Sequence, residues 1–303
     1  MASYTFHDFQ REYPTDDACL HKLFTMRFPN PTCPRCGEVN KYHRRGARPT
    51  YICQCGKHEI SPKKGTILEK SATDLTKWFY AMFLMSQSRN GVSALELKRH
   101  IGVGSYQTAL RMQKQLRSMM QEAPAFLFGE VEADETMIGG KRKGKRGRGA
   151  AGKTVVFGQL QRKGTLNTAI VPNVKAATLL PHFTDNIAKG TRLMTDELSS
   201  YKKIAKFLEI DHDTVTHGAG QYVKGDVHTN TIEGFWSTLK RSLDGTHHVV
   251  SPKYLHLYVS EFQWKYNVRN SPIHMFDLLL SRLSLLPAAV ANRIGAYQSL
   301  RAA

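Results

Sequence analysis

The residues best suited to chemistry gather first in the run His228-Thr229-Asn230-Thr231-Ile232-Glu233-Gly234-Phe235-Trp236-Ser237-Thr238-Leu239-Lys240-Arg241. Ile232, Phe235, Trp236 and Leu239 recur at helical spacing, and Thr229 or Asn230 can cap the helix they predict. One carboxylate, Glu233, falls among them. Asn230 lies three residues earlier and projects from neighbouring surface. Lys240 lies seven residues later, about two turns on, which returns it to the same side. A carboxylate, an amide and an ammonium beside one apolar stripe form a candidate site; a solvated helix edge is the alternative.

Two further acids need placing. Phe126–Thr136 alternates like a strand, with Val131, Ala133 and Glu135 opposite Glu132 and Asp134. Arg192–Glu197 reads as a short buried strand ending at Asp196. Further strands are expected at Thr154–Leu160, Asn167–Val171 and Asp213–His217, and helices at Ala176–Asn186 and Ser199–Leu208. Three strands, helix, strand, helix, strand, helix is an α/β order. Ligands on open α/β sheets gather near strand ends, where Asp134, Asp196 and Glu233 can converge. His217 and His228 flank the loop before the last helix and read as capping or packing residues. Trp236 reads as core rather than as a base-stacking surface.

The second group is Cys33-Pro34-Arg35-Cys36 and Cys53-Gln54-Cys55, each pair followed by glycine. Two close cysteine pairs suit two knuckles facing one tetrahedral Zn²⁺. The second pair is one residue tighter than usual, so either Cys53 and Cys55 both bind or His58 replaces one of them. Four protein ligands leave no open coordination position, so the metal would be structural. Cys19 reads as a small buried apolar residue.

The chain of 303 residues carries 43 Lys plus Arg against 25 acidic residues, a formal net charge of +18. That surplus points to a polyanion, most simply nucleic acid. No apolar run approaches the ~20 residues that span a bilayer, and the N-terminus lacks a signal-peptide pattern. Reduced cysteines and a cytoplasmic, nucleoid-associated location in a bacterium are expected, with no membrane partner. Residues 72–120 read as helices: Ser93 caps one, Ile101-Gly102-Val103 turns, and a second starts near Ser105. This is a helix-turn-helix-like pattern that would expose Tyr106, Gln107 and Arg111 to DNA; a plain helical bundle is the alternative. Lys141, Arg142, Lys143, Lys145, Arg146 and Arg148 form a basic hairpin tip suited to phosphate, with a merely solvated loop as the alternative. Residues 253–300 read as helices that cover the sheet or mediate self-association.

The phrases Glu132-Ala133-Asp134-Glu135, Thr195-Asp196-Glu197 and His228–Ser237 with Lys240-Arg241, in that order, resemble the bacterial insertion-sequence transposases of the fifteen-ninety-five family. The resemblance covers about residues 15 to 270. It implies an N-terminal zinc ribbon (1–68), a helix-turn-helix-like module (69–123), a ribonuclease-H-like DDE/N catalytic domain with a mixed sheet (124–270) and a C-terminal helical extension (271–303). It implies metal-dependent cleavage and transfer of DNA strands. Asp134 and Asp196 match the first two metal ligands; Asn230 or Glu233 matches the third, because members are described with both. Glu233 is the favoured choice, because its charge helps to hold a dication and Lys240 shares its helical face. Mg²⁺ (or Mn²⁺) and structural Zn²⁺ on Cys33, Cys36, Cys53 and Cys55 are the implied cofactors. Lys240 and Arg241 are implied phosphate contacts. DNA, as terminal inverted repeats and as target, is the implied partner, bound by a homodimer or higher assembly. A transposase-derived regulator without cleavage, or a structure-specific nuclease, is the rival reading.

Overall fold

The computed structural model describes residues 4–139, 153–215 and 226–285. The chain divides into two compact units, Met1–Met119 with Ser271–Ala303, and Met120–Asn270. The helices are α1 (Phe6–Glu12), α2 (Asp16–Arg27), α3 (Leu75–Gln87), α4 (Ala94–Ile101), α5 (Tyr106–Met119), α6 (Ala176–Asn186), α7 (Ser199–Leu208), α8 (Asn230–Arg241), α9 (Leu255–Val268) and α10 (Met275–Leu285). The strands are β1 (Tyr42–Arg44), β2 (Tyr51–Cys53), β3 (Glu59–Ile60), β4 (Glu130–Ile138), β5 (Thr154–Gln161), β6 (Leu166–Val171), β7 (Arg192–Thr195) and β8 (Asp211–Thr214). Among the described residues no helix is long and apolar enough to cross a membrane.

In the first unit, β1, β2 and β3 form an antiparallel sheet between α2 and α3 in sequence. Tyr51 of β2 stacks on Phe24 of α2 with ring centroids 3.9 Å apart. Asp16 of α2 accepts hydrogen bonds from the Leu75 and Thr76 backbone N–H groups at 3.0 and 2.9 Å, so one helix caps the next. Ser93 and Glu96 form a reciprocal cap at the start of α4, and Gly102 ends it at a φ of +64°, where a side chain would be strained. Trp78, Phe79 and Met82 of α3 are fully buried. Phe276 of α10 meets Phe9 and Tyr13 edge-on, both with centroids 5.7 Å away. The helices expected over 253–300 therefore part company: α9 covers the large sheet, as expected, while α10 belongs to the first unit's core. Residues 286–303 lie outside the described set.

The second unit is a five-stranded sheet in the order β6-β5-β4-β7-β8. Strands β6, β5 and β4 pair antiparallel; β7 and β8 continue from β4 in parallel. Strand alternation sends Val131, Ala133 and Phe157 into a core with Leu179, Phe183 and Tyr201 of α6 and α7. It sends Val156 and Leu160 to the other face, against Ile232, Phe235, Trp236 and Leu239 of α8 and Phe262 of α9. Burying an indole such as Trp236 there is worth about 5 kcal/mol as an upper estimate. The edge strand β6 gives its Leu166 and Thr168 N–H groups to Asn267 and Gln263 of α9, both at 2.9 Å.

Helices α6 and α7 have the bounds read from their periodicity. Strand β4 begins at Glu130 rather than Phe126, because Gly129 stands at a φ of +71° and interrupts the run. Leu127 instead makes an isolated bridge to Ile187. Strand β8 is Asp211–Thr214 rather than Asp213–His217: Glu209 ends α7 in the left-handed region, and pairing with β7 starts at once, Arg192 opposite Asp211. His217 lies outside the described residues.

Candidate functional site

Sheet register brings the first two acids together. Strands β4 and β7 run parallel with Ala133 opposite Thr195, so Asp134 and Asp196 follow side by side as β7 ends. The Asp196 carboxylate accepts from the Leu198 N–H at 2.9 Å, turning the chain toward α7. The Thr195 hydroxyl donates to the Asp196 carbonyl at 2.8 Å, and His212 Nε2 of β8 lies 2.9 Å from the same hydroxyl. With that hydroxyl proton committed, the histidine nitrogen is its donor.

Helix α8 supplies the third acid, and β4 positions the helix. Glu132, fully buried two residues before Asp134 on the same strand face, accepts from the N–H groups of Thr231 and Ile232, each at 3.0 Å. Its other oxygen accepts from Thr231 Oγ1 at 2.8 Å and Arg162 Nε at 2.9 Å. Thr229, the residue at the cap position, makes no side-chain capping bond. The expectation that Thr229 or Asn230 caps this helix is corrected: a carboxylate from the sheet takes the orphan N–H groups, which favour negative charge. Thr229 Oγ1 donates instead to Glu233 Oε1 at 2.7 Å.

One turn further along, Trp236 Nε1 donates to Asp134 Oδ2 at 3.0 Å. The indole can lie there because Gly158, directly opposite Asp134 on β5, has no side chain. A Cβ at Gly158 would sit 2.8 Å from Trp236 Cζ2 and 3.0 Å from Ile232 Cδ1. Burial, and then the charge of Glu135, push the Asp134 carboxyl up to about 7; the charges of Asp196 and Glu233 add to this, against a lowering backbone hydrogen bond. Tyr201 donates to Glu135 Oε2 at 2.7 Å from the other sheet face, and burial raises its own hydroxyl well above the ordinary value.

Asp134, Asp196 and Glu233 thus share one electrostatic neighbourhood. Asn230 and Lys240 stand exposed, at the first turn and the last turn of α8. Among the described residues, the set of potential ligands whose donor atoms all lie within 4.8 Å of one another is Cys33, Cys36, Cys53 and Cys55. Cys33 Sγ is 3.7 Å from Cys55 Sγ, and Cys36 Sγ is 3.6 Å from Cys53 Sγ. A tetrahedral ion with bonds of about 2.3 Å requires sulfur separations of about 3.8 Å, so the four thiols fit Zn²⁺. Gly37 and Gly56, at φ of +76° and +72°, turn the two knuckles, and the tight Cys53–Cys55 pair closes without help. His58 stays outside the cluster, its Nδ1 2.6 Å from the Tyr42 hydroxyl. Cys19 is buried in α2, its thiol pushed up to about 12 chiefly by burial.

Residues 126–267 match the ISXO2-like transposase domain. A protein of Halobacterium salinarum described as an uncharacterized protein in transposable element ISH50 is 32% identical over 261 residues, spanning 79% of this chain and 86% of the relative. An uncharacterized transposase-like protein of Haemophilus influenzae is 29% identical over 116 residues, 38% of this chain and 90% of that protein. The chain belongs to the ISXO2-like transposase family. Every acid of the cluster, and both residues that seat α8, fall inside the matched span. Membership of a transposase family makes DNA the partner, consistent with the net charge of +18.

Of the remaining candidates in this transposase-family chain, Tyr106, Gln107 and Arg111 are exposed on α5. Arg241 is exposed and donates to the Ser237 carbonyl at 3.3 Å. Lys141, Arg142, Lys143, Lys145, Arg146 and Arg148 lie outside the described residues. Sequence reasoning missed Glu132 as the helix cap, Arg162 as its partner, Gly158 as the space for the indole, and the Trp236 hydrogen bond. One signal was available: Glu132 alternates onto the same face of β4 as Asp134, and a carboxylate that becomes buried there must be paired.

Proposed function

We propose that this protein is an active DNA transposase that binds insertion-sequence ends and performs metal-dependent strand cleavage and strand transfer. The observation that supports the reading is the neighbouring placement of Asp134 on β4 and Asp196 just after the adjacent β7, with Asp134 feeling the charges of both Asp196 and Glu233, inside the span that matches the family. The charges of Asp196 and Glu233 disfavour ionisation of Asp134, a divalent ion would relieve that repulsion, and hard oxygen donors suit Mg²⁺ or Mn²⁺. Divalent ions bound there supply charge stabilisation for attacking and leaving oxygens. Asp134, Asp196 and Glu233 would hold them, with the Asn230 amide carbonyl as the rival third ligand. Lys240 and Arg241 would contact phosphate beside the cleavage point.

In cleavage, a water oxygen bonds to the scissile phosphorus while the bond to the 3′-oxygen breaks and that oxygen takes up a proton. In transfer, the freed 3′-hydroxyl attacks a target phosphodiester and displaces its 3′-oxygen. One phosphodiester is exchanged for another, so no energy source is needed. The strand order β6-β5-β4-β7-β8 supports a ribonuclease-H-like reading of the second unit. The four cysteines would hold a structural Zn²⁺ in an N-terminal ribbon (1–68). The exposed face of α5 would enter a DNA groove from a helical module (69–123), 124–270 would be the catalytic domain, and 271–303 would be a C-terminal helical extension whose α10 completes the first unit. The basic run Lys141–Arg148 would follow the phosphate backbone, and a homodimer or higher assembly would hold two ends together.

The test is Mg²⁺-dependent joining of end-containing DNA by wild type, Asp134→Ala, Glu233→Ala and Asn230→Ala. Loss in the first two and retention in the third is expected. Full activity in Asp134→Ala would remove the mechanism, and loss only in Asn230→Ala would reassign the third ligand.

A further inference from the structure

We propose that Glu132 is a positioning residue: with Trp236 it locks the register of α8 on β4, and that register decides whether Glu233 reaches Asp134 and Asp196. This rests on the divalent-ion reading of the acidic cluster.

The geometry is a two-point dock. Glu132 receives the N–H groups of Thr231 and Ile232, and Asp134 receives the Trp236 indole N–H. Along the strand, two residues advance about 6.6–6.8 Å. Along the helix, the four to five residues from that N–H pair to Trp236 advance about 6–7.5 Å. The two repeats match, so helix and strand run side by side with both anchors satisfied. Slipping the helix by one residue would rotate it by about 100° and swing Glu233 off the cluster. The same rotation would turn the apolar stripe off the sheet, so packing and the directional hydrogen bonds set the register together.

The surroundings of Glu132 leave no slack. Each of its oxygens accepts two hydrogen bonds, one pair from Thr231 Oγ1 and Arg162 Nε and the other from the two helix N–H groups. Arg162 extends the clamp to the chain entering α8, donating to the Asp226 carbonyl at 2.9 Å and to the His228 carbonyl at 3.0 Å. His228 Nδ1 lies 3.3 Å from Glu132 Oε1 without hydrogen-bond geometry. Arg192, reaching from β7, pairs with the Asp226 carboxylate. The strand that carries the first acid therefore also fixes the helix that carries the third.

The experiment uses the full chain prepared with zinc. Glu132→Gln keeps the shape but turns an NH₂ group toward donors whichever way the amide lies. Mn²⁺ affinity is measured by calorimetry, and amide hydrogen exchange is followed at Thr231 and Ile232. Expected are a loss of Mn²⁺ affinity of about 10- to 100-fold and lost protection at both amides, as for other residues that support metal ligands. A kcat loss with KM for DNA unchanged should accompany them. Mn²⁺ affinity within twofold of wild type would overturn the proposal. If Glu132→Gln does not fold, Thr231→Val removes one donor to Glu132 with little change of shape, and the same Mn²⁺ criterion decides. Trp236→Phe tests the second anchor, and it too should weaken Mn²⁺. A wild-type chain that binds no Mn²⁺ beyond its zinc would instead bring down the reading of the cluster.

Discussion

Gly158→Ala should damage this protein far more than an added methyl group suggests. The new Cβ would meet Trp236 Cζ2 at 2.8 Å and Cη2 at 2.9 Å. Ordinary carbon contacts begin near 3.5 Å, so the ring must retreat by about 0.7 Å. Ile232 Cδ1 at 3.0 Å blocks part of that retreat. The same shift lengthens the 3.0 Å bond from Trp236 Nε1 to Asp134 beyond hydrogen-bond range. Overpacking costs about 1–3 kcal/mol, and a lost hydrogen bond to a carboxylate about 1.5–3 kcal/mol. The sum is about 2.5–6 kcal/mol, or a fall in melting temperature on the order of 5–25 °C for a unit this size. The assay is urea and thermal unfolding of wild type, Gly158→Ala, Trp236→Phe and their double variant. Because both changes act on one contact, the double variant should be less damaged than the sum of the singles. Gly234→Ala is the control: nothing lies within 4 Å of its Cβ position on α8, so alanine should stabilise by about 0.5–1 kcal/mol. A Gly158→Ala chain within about 0.5 kcal/mol of wild type would refute the packing argument.

Without divalent ions, Asp134 should make the second unit less stable as pH rises from about 4 to 7, because its folded carboxyl is raised from 3.8 to about 7 and so holds its proton longer than the unfolded one. Asp134→Asn should flatten that slope in metal-free denaturation curves; an unchanged slope would place the burden elsewhere. Cys55→Ser, or treatment with a strong zinc chelator, should release zinc and weaken DNA binding in a gel-shift assay, and full binding would deny the ribbon that role. Arg111→Ala should weaken end binding and, if Arg111 meets phosphate, lower the salt dependence by about one counterion; unaltered binding would remove α5 from the interface.

The local half of this architecture was legible in the sequence. Helices α6 and α7 follow from their periodicity, and so do the elements that carry the three acids: β4 around Asp134, β7 just ahead of Asp196 and the amphipathic α8 around Glu233. The four cysteines follow from spacing, though only coordinates bring Cys55 into the set and leave His58 with Tyr42. What escaped reading is non-local. The bond from Thr231 to Glu132 spans 99 residues, and that from Trp236 to Asp134 spans 102. Nothing near Thr229 in the chain announces that its helix will be capped from another strand. Gly158 gives no local sign either, since its lack of a side chain matters only to an indole that arrives much later. The partners of helix α10, though not the helix, escaped for the same reason: Phe276 meets Phe9 and Tyr13 from the other end of the chain.

The most direct measurement is the joining of a labelled element end to target DNA by purified wild type and Asp196→Ala, with Mg²⁺ and with chelator. Wild type should give joined product in Mg²⁺ alone, while Asp196→Ala binds the end yet forms none. Joined product from Asp196→Ala at the wild-type rate, or from wild type in chelator, would contradict the reading of these carboxylates as the seat of the chemistry.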